Sequence, residues 1–305
     1  MEAHGCSGQT MTDELNMSRS PFSEGAKRKK DGKTVALKRV SMSDMGEKFR
    51  TKCMREVRLL QSLDHCNIIR YQDSFLDNNE LVIVLEWAAA GDLKRQVRKA
   101  LERAVHFEER IIWGYFSQIC GAISYMHRMQ IMHRDIKPAN IFLTLKGQVK
   151  VGDLGLGRVM NADDELAYSK VGTPLYMSVE VLGGGGYSWK SDVWSLGCVL
   201  YELAMLRSPF KSESLSLYSL YKKISSGDYP PMLAYYSEEL RALATGMINT
   251  NPDERPSVHE AHSIALAMKR KMAGKGNPAT LPPQVFRANI QGKVKRSGCS
   301  LLVPF

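Results

Sequence analysis

The spacing of hydrophobic and polar positions changes near residue 87. Before that point, "KTVALKRV" (33–40) is a β-type run entered through Asp31-Gly32, a hairpin-turn pair. "IIRYQDSF" and "ELVIVLEW" flank Asn78-Asn79 and predict a second hairpin. Between these strands Phe49, Cys53, Val57 and Leu60 recur at helical spacing, with Glu56 at the margin of their stripe. After "AAAGDL" (88–93) the period turns helical, with Ile112, Phe116, Ile119 and Ile123 on one face. "IFL" and "VKV" around Lys146-Gly147 read as a short hairpin. "WKSDVWSLGCVLYELAML" (189–206) is apolar all round, which predicts a buried central helix. Further helices are expected up to about Lys271. The pattern is α+β: a small β-rich lobe over 17–87, a hinge near 86–90, and a larger α-helical lobe over 88–268. Two lobes leave a crevice, the usual place for a ligand.

Composition narrows the partners. The chain has 305 residues, 44% of them hydrophobic, enough for a sizeable core. Its net charge of +10 is uneven, because no acidic residue follows Glu260 and eight lysines and arginines do. The basicity therefore belongs mostly to residues 269–305, a Gly/Pro-containing tail expected to be disordered. Aromatic interleaving is nearly absent there, which argues against specific nucleic-acid binding. The six cysteines form no CxxC pair, which argues against zinc and disulfides and fits a reducing cytoplasm or nucleus. Residues 1–16 lack the apolar run of a secretory leader and show no strand pattern, and no stretch is apolar enough to span a membrane.

The chemistry concentrates in "IMHRDIKPANIF" (131–142), where His133, Arg134, Asp135, Lys137 and Asn140 sit between apolar runs. Polar groups in such a setting are costly to desolvate and should serve each other or a ligand. Asp135 can orient a hydroxyl and accept its proton, while Asn140 offers a neutral oxygen to a hard cation. Asp153 in "VGDLGLG" supplies a carboxylate for the same ion. Lys38 in "VALK" offers a point charge for phosphates, and Glu56 is placed to hold it. His133 reads as a packed structural histidine. "GDLGLG" lacks the strand–helix context of a dinucleotide loop.

In the order VALK, helix Glu, HRD, N, DxG, "GTPLYMSVE", the chain resembles the eukaryotic protein kinases over about residues 17–268. "MHRDIKPANIF", "VGDLGLGR", "LEWAAAGDL", "SLYSLYKKI", "GDYPP" and "PDERPSV" are similar to the NIMA-related serine/threonine kinases, and among them the short six/seven branch. The resemblance implies the bilobal kinase fold, ATP and Mg²⁺ as cofactors, and protein substrates with Ser/Thr acceptors. It further implies an upstream activating kinase, a cell-cycle or mitotic role, and no membrane. It makes Asp135 the base and Lys137 its serine/threonine-type companion, with Lys38 and Glu56 as the phosphate pair and Asn140 and Asp153 as metal ligands. Ala36 and Leu143 would enclose adenine, Leu85 would be the gatekeeper, and Glu86 to Ala88 the hinge. Ser169 would be an activating phosphosite with Arg134 as partner, and Tyr71 a residue able to point down into the site. Glu180 would brace Arg255, and Asp192 the catalytic loop.

Three stretches depart from that pattern. "SRSPFSEG" places Ser18 and Ser20 where the phosphate-covering loop has glycines, and Gly25 where a valine would pack on adenine. The first strand is expected to be missing. "SVE" (178–180) keeps the glutamate of its motif but loses the proline. These departures leave a kinase-shaped binding protein of weak catalysis as the alternative to an enzyme.

Overall fold

The computed structural model describes residues 15–17, 24–42, 46–153, 174–211, 216–274 and 285–287. Ser18, Ser20, Leu154, Ser169 and Thr173 lie outside these residues, as does the side chain of Glu56. The first lobe is an antiparallel sheet in the order β1-β2-β3-β5-β4. Its strands are β1 (Leu15–Met17), β2 (Glu24–Arg28), β3 (Thr34–Ser41), β4 (Tyr71–Asp77) and β5 (Glu80–Glu86). The β4–β5 turn is made by Asn78 and Asn79 with φ of 47° and 61°, a left-handed geometry that asparagine tolerates. Helix α1 (Glu47–Ser62) lays Cys53, Val57 and Leu60 on one face of this sheet, against Leu81 and Ile83. Ala26, Val35, Leu37, Val82 and Val84 pack with Phe75 on the other face.

The expectation of a missing first strand is corrected. Leu15 and Met17 pair with Arg28 and Ala26 at the sheet edge. An edge strand needs only backbone donors and acceptors, so a three-residue stretch without alternation can join. The tail also departs from expectation. Val285–Arg287 forms β9, which pairs with β6 (Val105–Phe107) in a backbone register that sets Val285 opposite Phe107. The same edge logic applies.

The second lobe is helical. Helix α2 (Leu93–Glu102) is capped by the Asp92 carboxylate, which accepts from Arg95 N–H. Helix α3 (Glu109–Arg128) buries Ile112, Phe116, Ile119 and Ile123 completely. A 3-10 turn (Pro138–Asn140) leads into the hairpin β7 (Ile141–Leu143) and β8 (Val149–Val151). Helix α4 (Val179–Leu182) precedes α5 (Trp189–Met205), which is buried from Ser191 to Ala204. Helices α6 (Leu217–Ser225), α7 (Glu238–Met247) and α8 (Val258–Ala273) complete the lobe. Among the described residues no helix is long and apolar enough to cross a membrane.

Candidate active site

Two hairpins and one buried helix position the cleft. Directly opposed residues of adjacent antiparallel strands share a face. Gly25, Ala36 and Leu85 form one such row, two residues along the sheet from Lys38 and Ile83. Lys38 pairs with Asp153, which follows β8 in the other lobe, so this row faces the crevice. The expected Lys38–Glu56 pair cannot be placed, since the Glu56 side chain lies outside the described residues.

Opposite the sheet, Asp135 is held from two sides. Asn140 Nδ2 donates to both the Asp135 carbonyl and Oδ2, each at 2.8 Å. Lys137 Nζ lies 2.8 Å from the same Oδ2. Both Asn140 bonds use its nitrogen, which leaves the amide oxygen as the acceptor for a cation. The donor set of Asn140 and Asp153 is hard oxygen, which fits Mg²⁺ with phosphates and water completing its shell. A lysine ammonium bound to Asp153 shows that the carboxylate lies in a position that takes positive charge.

The loop carrying Asp135 is fixed from below. Asp192 in α5 is wholly buried and accepts from His133 N–H at 2.9 Å and Arg134 N–H at 3.0 Å. It also accepts from His127 Nε2 at 2.8 Å and the Tyr187 hydroxyl at 2.5 Å. Burial alone would raise the Asp192 carboxyl; these donors and the neighbouring histidines hold it below its ordinary value. His133 is 2% exposed and accepts Asp135 N–H on Nδ1, so its Nε2 donates to Gly152 O at 3.1 Å. Burial pushes its pKa down despite three nearby carboxylates, so it stays neutral and bridges the Asp135 loop to the strand before Asp153. Gly152 is required there, because a Cβ would come within 2.8 Å of Ile69 and 3.1 Å of Phe142.

At the hinge, Leu143 N–H donates to Gly91 O and Ala90 N–H to Leu143 O, tying the segment after Ala88 to β7. Leu143 is 3% exposed. The Glu86 carboxylate is gripped by Lys150 Nζ at 2.8 Å and accepts Arg70 N–H at 3.2 Å. Sequence reading missed Lys150. A lysine inside the "VKV" strand was the available signal, since only a paired lysine is buried to 8% exposure. Also missed were His127 and Tyr187, for which no local pattern exists.

Tyr71 does not point down. Its hydroxyl contacts Ser74 Oγ at 2.8 Å and accepts from Gln61 at 3.1 Å, and its ring packs against the α1 cluster. Its strand neighbour and helix α1 offer partners that an inward hydroxyl would give up. Below the cleft, Arg255 is 1% exposed and makes a bidentate pair with Glu180, both bonds at 2.8 Å. Burial opposes the Glu180 charge, but Arg255 and Ser191 bring its pKa down to about 2.

Residues 23–265 match the family model described as "Protein kinase domain". A protein named "Probable serine/threonine-protein kinase nek3" from Dictyostelium discoideum is 43% identical over 238 residues, covering 77% of this chain and 21% of that protein. Serine/threonine-protein kinase Nek1 of Mus musculus is 40% identical over 240 residues, 79% of this chain and 20% of its own length. Serine/threonine-protein kinase Nek2 of Homo sapiens is 39% identical over 241 residues, 77% and 54% respectively. The chain thus spans about a fifth of the first two relatives and about half of the third. The narrower six/seven-like branch rests on the motifs alone.

Proposed function

The chain belongs to the protein kinase family and its domain to the NIMA-related serine/threonine group, and from that premise we propose that it transfers the γ-phosphoryl group of ATP to Ser/Thr hydroxyls of proteins. The observation that carries this reading is the meeting of Lys38 and Asp153 across the crevice, above an Asp135 tied to Asn140 and Lys137. Asp135 takes the proton of the acceptor hydroxyl as its oxygen bonds to phosphorus and ADP departs. Lys137 offsets charge on the transferring group, and Lys38 offers its ammonium to the phosphates. Asn140 and Asp153 would hold Mg²⁺, which when bound would neutralise charge on the phosphates and orient them. Ala36 and Leu143 would enclose adenine, with Leu85 at the rear and the Glu86 to Ala88 backbone offering the hydrogen-bonding edge. Asp192, Glu180 and Arg255 act as positioning residues.

Incubating the purified chain with Mg-ATP and a generic serine/threonine-rich protein tests the reading. Phosphoserine or phosphothreonine is expected, without phosphotyrosine, and none with Asp153→Ala. Nucleotide binding without transfer in the wild type would favour the kinase-shaped binding protein instead. A second element of the proposal is regulation. Ser169 lies in the segment between Asp153 and Glu180, and a phosphate there brings about two negative charges that a guanidinium such as Arg134 can pair. An upstream kinase should then stimulate the wild type and not Ser169→Ala; equal stimulation of both would exclude the switch. The resemblance further supports a cell-cycle role in cytoplasm or nucleus.

A further inference from the structure

The position expected to weaken the nucleotide roof is filled from elsewhere. Gly25 belongs to the row facing the crevice, where a valine would pack on adenine. A Cβ built on Gly25 would lie 3.2, 3.3 and 3.5 Å from three carbons of the Trp87 indole. Trp87 follows β5 in the hinge, and its indole lies on the side of the sheet toward which a Gly25 Cβ would point. The six-membered ring of its indole thus lies directly against the bare backbone of Gly25, and Trp87 remains 37% exposed at the cleft mouth. Ala36, the neighbour of Gly25 in the row, adds only a methyl group, so among the described residues the indole is the large apolar group beside Gly25.

We infer that Trp87 is a specificity-determining residue of the nucleotide site: its indole supplies the apolar roof over the base that residue 25 does not, and the bare backbone of Gly25 leaves it room. The inference rests on the cleft's being the ATP site. A flat ring beside a flat base offers apolar contact and favourable ring–ring geometry. It also reverses a simple expectation. Restoring a valine at 25 does not add a roof to an open site, because its Cβ would sit 3.2 Å from the indole and its two methyl groups would compete with the ring for the same space.

The test is a double-mutant cycle read by calorimetric titration with Mg²⁺ and adenylyl imidodiphosphate. Trp87→Ala is expected to weaken binding about three- to tenfold, in line with an aromatic contact of roughly 0.5–1.5 kcal/mol. Trp87→Phe, which keeps a ring, should stay close to the wild type and guards against a mere folding defect. Gly25→Val should not tighten binding in the wild type, yet should recover affinity in the Trp87→Ala background. Inorganic triphosphate with Mg²⁺, which lacks the base, should bind wild type and Trp87→Ala equally. Unchanged or tighter nucleotide binding by Trp87→Ala would overturn the inference, as would an equal effect of Gly25→Val in both backgrounds or a loss of triphosphate binding with Trp87→Ala. Failure of the wild type to bind the nucleotide at all would instead sink the ATP-site reading on which it rests.

Discussion

Arg134 and Asp153 adopt φ values of 66° and 54°, in the left-handed region that costs a non-glycine residue roughly 1–3 kcal/mol. Each is held by a partner in its strained place. Arg134 N–H donates to Asp192, and Asp153 pairs with Lys38. The strain turns the chain sharply at the two points where the proposed base and metal ligand must face one crevice. Asp135→Asn should cut turnover by about 10²–10⁴-fold, since the proton acceptor is lost together with its ion pair to Lys137. Nucleotide affinity, measured on the same preparation, should be nearly unchanged; wild-type turnover would remove Asp135 from its role. A second residue carries a cost without evident return. Ser178 is 1% exposed and its hydroxyl, buried at the start of α4, has no hydrogen-bond partner. Ser178→Ala should therefore raise stability by about 1 kcal/mol in denaturant titration, and a loss would reveal a partner to the hydroxyl.

Helix α5 is the element on which the second lobe is assembled. Its apolar residues recur on every side, so its burial was legible without a partner in view. What its sequence does not display is how close α7 comes. A Cβ at Gly197 would lie 2.7 Å from Met247 Cβ and 2.9 Å from Ile248, so the glycine permits the helices to touch. Gly197→Ala gains helix propensity of about 1 kcal/mol but must push α5 and α7 apart. A net loss of up to about 2 kcal/mol is expected in urea unfolding, since overpacking costs roughly 1–3 kcal/mol. The hairpins were legible for a different reason: Asn78-Asn79 and Lys146-Gly147 announce tight turns between apolar runs. The short β1 and β9 were not, because edge pairing asks nothing of side chains.

At the scale of the whole molecule, buried charge ties distant segments together and makes the fold sensitive to acid. Glu180 and Asp192 have folded-state pKa values below their ordinary ones, so each contributes stability above its unfolded value and loses it on acidification. For Glu180 the loss runs from pH 4.5 down to about 2. His133 is depressed by burial, so below its ordinary 6.5 the unfolded chain takes up a proton that the folded chain refuses. All three push the same way. The thermal midpoint should fall as pH drops below 4.5, with Glu180→Gln flattening this limb. The buried Glu202 carboxyl, pushed up by burial, works the other way above pH 4.5, so a wild-type midpoint that falls no faster than that of Glu180→Gln below 4.5 would contradict the Glu180–Arg255 assignment.

The sequence alone determined the two-lobed α+β plan and the polar set Lys38, Asp135, Lys137, Asn140 and Asp153. Periodicity is a local property, and clustered polar residues between apolar runs stand out wherever they occur. Tertiary structure decided which of those groups meet. Lys38 and Asp153 are 115 residues apart and are joined only by the closure of one lobe on the other. Lys150 reaches the hinge, Tyr187 reaches Asp192, and Trp87 covers Gly25 through contacts that no local pattern encodes. A missing side chain is visible in a sequence; the ring that fills its space is visible only in three dimensions, because packing is set by whichever atoms arrive there.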